Sequence, residues 1–204
     1  MLALMFALFR FEYKLYHSSV LFVSAMLSFV SYSIRIGFNH AIMDSVVTVL
    51  LIFAFIHFIF QIQVFYAAII TVTGYVAYGI LQSIVMLGLD LAGVLTFDQV
   101  KPNTLPGYTT QIVSSAAALL ITYLFKSRKI GFAYVPFGQR AFVQYKGLNR
   151  LFLIAILLAS ALAWITLYYN SEDSAIPFFL MTIPLIAIFV FLIYLSIRKD
   201  SSND

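Results

Sequence analysis

Long apolar stretches alternate with short polar segments along the whole chain. A helix needs about 20 apolar residues to cross a hydrocarbon core about 30 Å thick. Stretches of roughly this length cover residues 18–35, 42–60, 64–89, 107–125, 149–169 and 176–197. Helices are required because unpaired backbone groups are too costly in lipid, and the alternating pattern of a membrane barrel is absent. The pattern predicts an all-α fold, a polytopic transmembrane helical bundle with six spans in a single domain over residues 1–204.

The second and third spans belong to one apolar stretch, residues 41–89. As a single helix it would be roughly 73 Å long at 1.5 Å per residue, more than twice the membrane thickness. The chain must therefore reverse inside it. Gln61 and Gln63 mark the best position for a tight turn, and the segment from Thr71 to Gly74 is the alternative.

Residues 1–9 are apolar but too short to cross a membrane, at roughly 13 Å in helical form. They lack the basic region and the small-residue cleavage site of a signal peptide. Two interpretations remain open. The segment lies in the membrane interface, or it is part of a seventh span.

Composition supports this assignment. Hydrophobic residues make up 63% of the chain, charged residues make up 10%, and the mean hydropathy is +1.00. Ordinary soluble domains are about one quarter charged, so a soluble enzyme, a disordered chain and a nucleic-acid-binding module are excluded. The chain has no cysteine, which excludes disulfides, thiolate metal sites and a cysteine nucleophile.

The basic residues predict the orientation. If residues 126–148 form a basic cytoplasmic loop at the membrane interface, 10 of the 12 Lys and Arg residues lie on that side, and Arg35 and Lys101 lie outside. This agrees with the positive-inside rule and predicts a multi-pass plasma-membrane protein with both termini in the cytoplasm. The loop mixes cations with aromatic residues such as Phe132 and Tyr134, so it is either a lipid-surface anchor or a docking surface for a partner. The candidate interface residues are Lys126, Arg128, Lys129, Arg140, Lys146 and Arg150.

Three spans carry polar residues at helical spacing. The three stripes are Ser24, Ser28, Ser31 and Arg35; Thr71, Tyr75, Tyr78 and Gln82; and Gln111, Ser115 and Thr122 with Ala118 between them. One interpretation is packing, in which small and hydroxyl residues join helices across their interfaces. The other is a ligand-lined cavity that opens outward, with Arg35 near its mouth, where Asp44 or Asp90 can pair with it. The candidate ligand-binding residues are Arg35, Asp44, Tyr75, Tyr78, Gln82 and Asp90.

Individual polar residues also have structural interpretations. Asp44, near the start of a span, is expected to stabilise the helix start or to stay solvated. His57 is expected to be a neutral histidine that bonds to a neighbour. Known catalytic motifs are absent, and the three scattered histidines do not form a metal site. We therefore expect no enzymatic activity, no cofactor and no metal.

One resemblance adds to this picture. The basic loop reads RKIGFAYVPF, the last span ends in IRKD, and the short-looped spans are rich in Phe and Tyr. The chain resembles the membrane sensor portion of Agr-type peptide-pheromone receptor kinases and related Gram-positive membrane proteins. Such receptors continue into a dimerisation helix and an ATPase domain, which this sequence does not include. The resemblance implies a non-enzymatic sensory module that binds a ligand, such as a peptide or a lipid, from outside and signals through a separate cytoplasmic or membrane partner.

Two alternatives stay open. Six-span substrate-binding subunits of energy-coupling-factor importers are similar in length and topology, and Ala3 and Ala7 provide an A-x-x-x-A pair. A structural membrane protein, in which the polar stripes serve packing alone, is the other alternative.

Overall fold

The protein is all-helical in the part of the chain that the structure describes. The computed structural model covers residues 1–11, 17–37, 41–100, 104–136, 143, 146–170 and 175–201. The helices are α1 (Leu2–Leu8), α2 (His17–Gly37), α3 (Ala41–Phe58), α4 (Val64–Leu91), α5 (Leu105–Ser127), α6 (Leu148–Asn170) and α7 (Ala175–Asp200). A 3₁₀ helix, Phe97–Gln99, lies between α4 and α5. The expected helical bundle is confirmed, and α2 to α7 lie on the six apolar stretches of the sequence.

The centre of the bundle is α4, which contacts α1, α3, α5, α6 and α7. Its 28 residues are apolar on nearly every side, a pattern typical of a helix surrounded by protein or lipid. Eleven of the 28 residues of α4 are buried. Helices α6 and α7 pack against each other beside α4, whereas α2 packs on α3 and buries few of its described side chains.

Five helices of the described chain are long and apolar enough to cross a membrane. They are Ser18–Arg35, Val64–Leu91, Leu105–Ser127, Leu148–Thr166 and Thr182–Asp200. In α3 the apolar helical part that is described is Met43–Phe58, which is shorter than the about 20 residues that a span requires. The structure therefore supports a bundle with five candidate spans, and the predicted count of six is not confirmed.

The chain reverses between α3 and α4 at residues 59–63. Gln61 lies at the turn with a φ of 55°, the left-handed conformation that side-chain-bearing residues rarely adopt. His57 Nδ1 lies 2.8 Å from the Ile62 carbonyl oxygen, so Nδ1 carries the hydrogen and donates it. This contact closes the turn, and the alternative turn from Thr71 to Gly74 lies inside α4.

Helix α1 is buried in the bundle between α4 and α5. Met5 and Phe6 are fully buried, and a Cβ atom at Gly74 of α4 would overlap the Met5 side chain. Helix α1 is therefore a packed element of the bundle, and whether residues 1–9 lie at interface depth or belong to a further span stays a prediction. The packing is possible because α4 carries a glycine where α1 crosses it, so the two helices approach closely enough to enclose the α1 side chains.

The polar stripe predicted for α2 lies only partly against other helices, because Ser24, Ser31 and Arg35 are half-buried whereas Ser28 is exposed. Ser28 is exposed, and its hydroxyl donates to the Ser24 carbonyl at 2.9 Å. Among the described side chains of α2, the buried ones are Val23 and Leu27. Because α2 lies at the edge of the bundle, it buries only a narrow apolar line there, and Ser28 and Ser33 bond to their own helix.

The stripe predicted for α5 is displaced around the helix. Ser115 is exposed, and the buried line consists of Gly107, Thr110, Ser114, Ala118 and Thr122. These small residues allow α5 to approach its neighbours closely. On α4, in contrast, Thr71 is buried and Tyr75, Tyr78 and Gln82 are half-buried, so that stripe does face other helices.

Candidate functional site

A partly buried ion pair joins α2 to α3 at one end of the bundle. Arg35 Nε donates to Asp44 Oδ2 at 2.6 Å, and their side chains are 33% and 4% exposed. Arg35 lies in the last turn of α2 and Asp44 in the first turn of α3, so each charge is favoured by the dipole of its own helix. The expectation of a solvated Asp44 is wrong, because the carboxylate is enclosed and neutralised by Arg35.

Tyr75 brings α4 to this pair. Its hydroxyl hydrogen-bonds with Ser45, the residue after Asp44, and it lies within electrostatic range of the Asp44 carboxylate. Thr48 Oγ1 lies 3.4 Å from Asp44 Oδ1, at the long limit of a hydrogen bond. Arg35, Asp44, Ser45 and Tyr75, which we call the ion-pair cluster, thus join three helices.

The other candidate ligand-binding residues lie further along α4. Tyr78, Gln82 and Asp90 follow Tyr75 by 3, 7 and 15 positions, or about 4, 10 and 22 Å along the helix axis. All three are half-buried. Of the two acidic residues predicted as possible partners of Arg35, Asp44 forms the pair, whereas the 28-residue α4 carries Asp90 well beyond the start of α3.

The opposite end of the bundle, which we call the basic end, unites five chain segments. It contains the end of α1, the α3–α4 turn, the segment after α5, the start of α6 and the end of α7. The rings of Phe6 and Phe60 pack there with their centroids 4.8 Å apart and their planes tilted by 60°, and Lys199 Nζ donates to Asn149 Oδ1 at 2.6 Å. Five of the candidate interface residues, Lys126, Arg128, Lys129, Lys146 and Arg150, are exposed at this end. The sixth, Arg140, lies outside the described residues.

A lysine is buried at the centre of the basic end. Lys199 is only 7% exposed, and its ammonium lies over four aromatic rings. The distances from Nζ to the ring centroids are 5.0 Å for Phe65, 4.6 Å for Tyr66, 5.2 Å for Tyr134 and 5.4 Å for Phe152. All lie within the about 6 Å over which a cation is attracted to a ring face. We call these four rings the aromatic box.

The segment from Gly131 to Val135, which we call the strap, crosses the basic end. The Tyr134 hydroxyl and Ser196 Oγ are 3.0 Å apart, the Ala133 amide donates to Asp200 Oδ1 at 2.9 Å, and the Phe132 amide donates to the Leu8 carbonyl at 2.8 Å. Burial raises the pKa of Tyr134, so its hydroxyl stays protonated. The strap thereby ties α1 to α7.

The aromatic box and the strap were not predicted from the sequence. Phe132 and Tyr134 were expected in a loop that either anchors to the lipid surface or docks a partner, yet Tyr134 is buried and Phe132 is half-buried against the bundle. The available signal was the periodicity of α7, whose buried line Leu185, Leu192, Leu195, Ser196 and Lys199 continues at helical spacing up to the lysine.

Two further features limit what the bundle can do. Ala7 of the A-x-x-x-A pair is 9% exposed within α1, so the helix that carries Ala3 and Ala7 packs inside the chain's own bundle. Among the described residues, no three His, Asp or Glu side chains converge in a way that could hold a metal ion. The side chains that do converge are suited to holding charge and to linking helices.

These features define a helical membrane protein. Large apolar side chains such as Phe29, Leu105 and Leu157 are about 70% exposed or more, which fits helices that contact lipid. No protein-family model, curated protein or solved structure matches the chain. The resemblance to pheromone-receptor sensors therefore stays a prediction.

Proposed function

We propose that the protein is a non-enzymatic sensory or regulatory module of the plasma membrane. In this proposal α2 to α7 are six spans, the basic end faces the cytoplasm and the ion-pair cluster faces outward. The charge distribution supports this orientation, because Lys126, Arg128, Lys129, Lys146 and Arg150 are all exposed at one end and cations favour the cytoplasmic side.

The observation that carries the proposal is that α4 belongs to both clusters. It supplies Tyr75 to the ion-pair cluster, and it supplies Phe65 and Tyr66 to the aromatic box. A helix that contacts five others cannot shift at one end without repacking at the other, since packed cores do not deform continuously. A ligand at the ion-pair cluster can therefore bias the basic end.

The cluster favours a ligand with an acidic or hydrogen-bond-accepting group. Asp44 is enclosed, but one third of the Arg35 side chain remains exposed and carries donors that can bind such a group. A peptide carboxylate or an anionic lipid meets this requirement. The ligand would shift the population of the two arrangements only as far as it binds them with different affinity.

The exposed cations of the basic end are the proposed docking surface for the separate signalling partner. Phosphate-rich lipid headgroups attract the same residues, so the partner would bind next to the membrane surface.

Cysteine labelling tests the orientation. Because the chain has no cysteine, a cysteine at Ser127 or at Val94, both exposed, is a unique reporter. We expect a membrane-impermeant maleimide added to intact cells to label Val94→Cys and to spare Ser127→Cys. The reverse pattern, or labelling of both, would contradict the topology.

Coupling is tested with a buried reporter. In purified Ser196→Cys protein in lipid nanodiscs, N-ethylmaleimide modification is measured after adding a peptide fraction of growth medium or anionic phospholipid. We expect the active probe to change the rate at least about threefold. The response should be lost in Arg35→Gln and kept in Arg150→Gln, which also removes one exposed cation. If equilibrium dialysis shows that a probe binds but the rate of N-ethylmaleimide modification does not change, the sensory assignment is overturned.

A further inference from the structure

The four rings of the aromatic box come from three separate parts of the chain. Phe65 and Tyr66 belong to α4, Phe152 belongs to α6 and Tyr134 belongs to the strap, and all four face one ammonium group. That ammonium donates a hydrogen bond to the neutral amide oxygen of Asn149, and the ring faces supply further electrostatic attraction. Such a cluster of rings is the arrangement with which proteins bind alkylammonium ligands.

We propose that the aromatic box is an ammonium-binding site whose resident ligand is the Lys199 side chain, and that its occupancy latches the C-terminal end of α7 onto the bundle. This inference does not depend on the proposed sensory role.

The contacts of the last turn of α7 support the latch. Ser196 and Asp200 flank Lys199 on this turn and bond to Tyr134 and Ala133 of the strap. The links from the end of α7 to the strap and to α6 are therefore concentrated within five residues around the lysine. When the ammonium leaves the box, the four rings lose the cation that they all contact. The hydrogen bonds of Ser196 to Tyr134 and of Asp200 to Ala133 then lose the fixed position of the last turn of α7 that aligns them.

The latch has two distinct states rather than a continuum. A buried ammonium is stable only when it is fully enclosed by groups that compensate for lost water, and a partly withdrawn Lys199 would have neither ring faces nor bulk solvent. The end of α7 is thus either fixed by the box or released. Release frees the last turn of α7 from the strap and from α6.

The test uses Ser196→Cys as a reporter of release, because Ser196 is fully buried behind Tyr134. Lys199→Met keeps the length of the side chain and removes its charge. We expect it to raise the rate at which N-ethylmaleimide modifies the reporter thiol of Ser196→Cys in nanodiscs by about tenfold or more, a factor equivalent to about 1.4 kcal/mol.

Two controls isolate the effect. Arg198→Met removes the neighbouring exposed cation and should leave the rate at the Ser196→Cys reporter unchanged. A second reporter, Ser114→Cys, replaces a fully buried residue of α5 and should not respond to Lys199→Met. An equal rate at the Ser196→Cys reporter with and without Lys199→Met would overturn the latch, as would an equal increase at both reporters.

Chemical rescue tests the ammonium-binding site. Lys199→Ala removes the atoms that n-propylammonium supplies, so this cation should slow the modification of the Ser196→Cys reporter in that variant. Propan-1-ol has nearly the same shape without the charge and should have a smaller effect. Equal effects of the two compounds would overturn the assignment of the box as an ammonium site.

A measurement on the unaltered chain covers the case in which the variants do not fold. Reductive methylation followed by mass spectrometry compares Lys199 with the exposed Lys126 and Lys146. We expect Lys199 to react at least about tenfold more slowly. Equal rates for the three lysines would overturn the latch without any substitution.

Discussion

The contact between α1 and α4 provides the sharpest packing test in the protein. Gly74 lies on α4 against Met5, and a Cβ atom there would overlap the Met5 side chain, which is fully buried. Gly79 lies on the same helix, and a Cβ atom there would meet nothing within 4 Å. Gly74→Ala and Gly79→Ala therefore make the same chemical change in a crowded and in an open position.

The expected difference follows from two energies. Replacing a glycine by alanine inside a helix gains about 0.5–1 kcal/mol, and this gain is common to both variants. Adding a methyl group to a filled core costs about 1–3 kcal/mol, and only Gly74→Ala incurs this cost. The two variants should differ by about 1–3 kcal/mol in the free energy of unfolding, or about 2–12 °C in Tm for a chain of this size.

The assay is thermal unfolding of the purified protein in one detergent, followed by circular dichroism. Met5→Ala completes a double-mutant cycle, because it removes the atoms that the new methyl group meets. We expect Met5→Ala to be less destabilising in the Gly74→Ala background than alone, by at least about 1 kcal/mol. Equal Tm values for Gly74→Ala and Gly79→Ala, or additive effects of Met5→Ala, would refute the packing of α1 on α4.

Two further predictions concern the turn and the strap. Gln61 has a φ of 55°, a conformation that costs a side-chain-bearing residue about 1–2 kcal/mol. Gln61→Gly should therefore raise the free energy of unfolding by about 0.5–1 kcal/mol in a denaturant titration. Gln63→Gly changes a residue with a φ of −59° and should lower the free energy of unfolding. A stabilising effect of both changes would contradict the strained turn. Burial raises the pKa of Tyr134 above its ordinary value of 10.0. The unfolded chain therefore loses this proton first, and the contribution of Tyr134 to stability is constant below about pH 10 and falls above it. Tyr134→Phe should remove part of the decline in Tm between about pH 9 and 11, and identical profiles would contradict the burial of this hydroxyl.

The helices were predictable because their signals are local. An apolar stretch of membrane length can hardly form anything but a helix, and α2 to α7 lie on those stretches. The polar Gln61 and Gln63 interrupt a stretch that is too long for one helix, and the chain turns beside them. The pairing of Arg35 with Asp44 was also predictable from the sequence, because the two opposite charges lie at the adjoining ends of consecutive helices.

Burial at the helix ends was not predictable from local patterns. A lysine in the last turn of an apolar helix is ordinarily solvated or extends toward the interface, and from the sequence Lys199 counts only as one of the ten basic residues on the cytoplasmic side. Its enclosure depends on rings near positions 65, 134 and 152, which no short window brings together. The burial of Asp44 was not predictable for the same reason, because it requires both α2 and α4. The position of α1 was not predictable either, because its seven residues carry too little pattern to show which surface they pack against.

If α3 and α4 both cross the bilayer, as proposed above, their unequal lengths make the molecule responsive to bilayer thickness. Their 18 and 28 residues correspond to about 27 and 42 Å, so no single hydrocarbon thickness matches both neighbours. In that six-span arrangement, a thicker membrane would cover more of α4 and draw the ion pair at the head of the short α3 toward the acyl chains, whereas a thinner one would return that pair to the headgroups. Acyl-chain length would then act on Arg35 and Asp44 without any dissolved ligand.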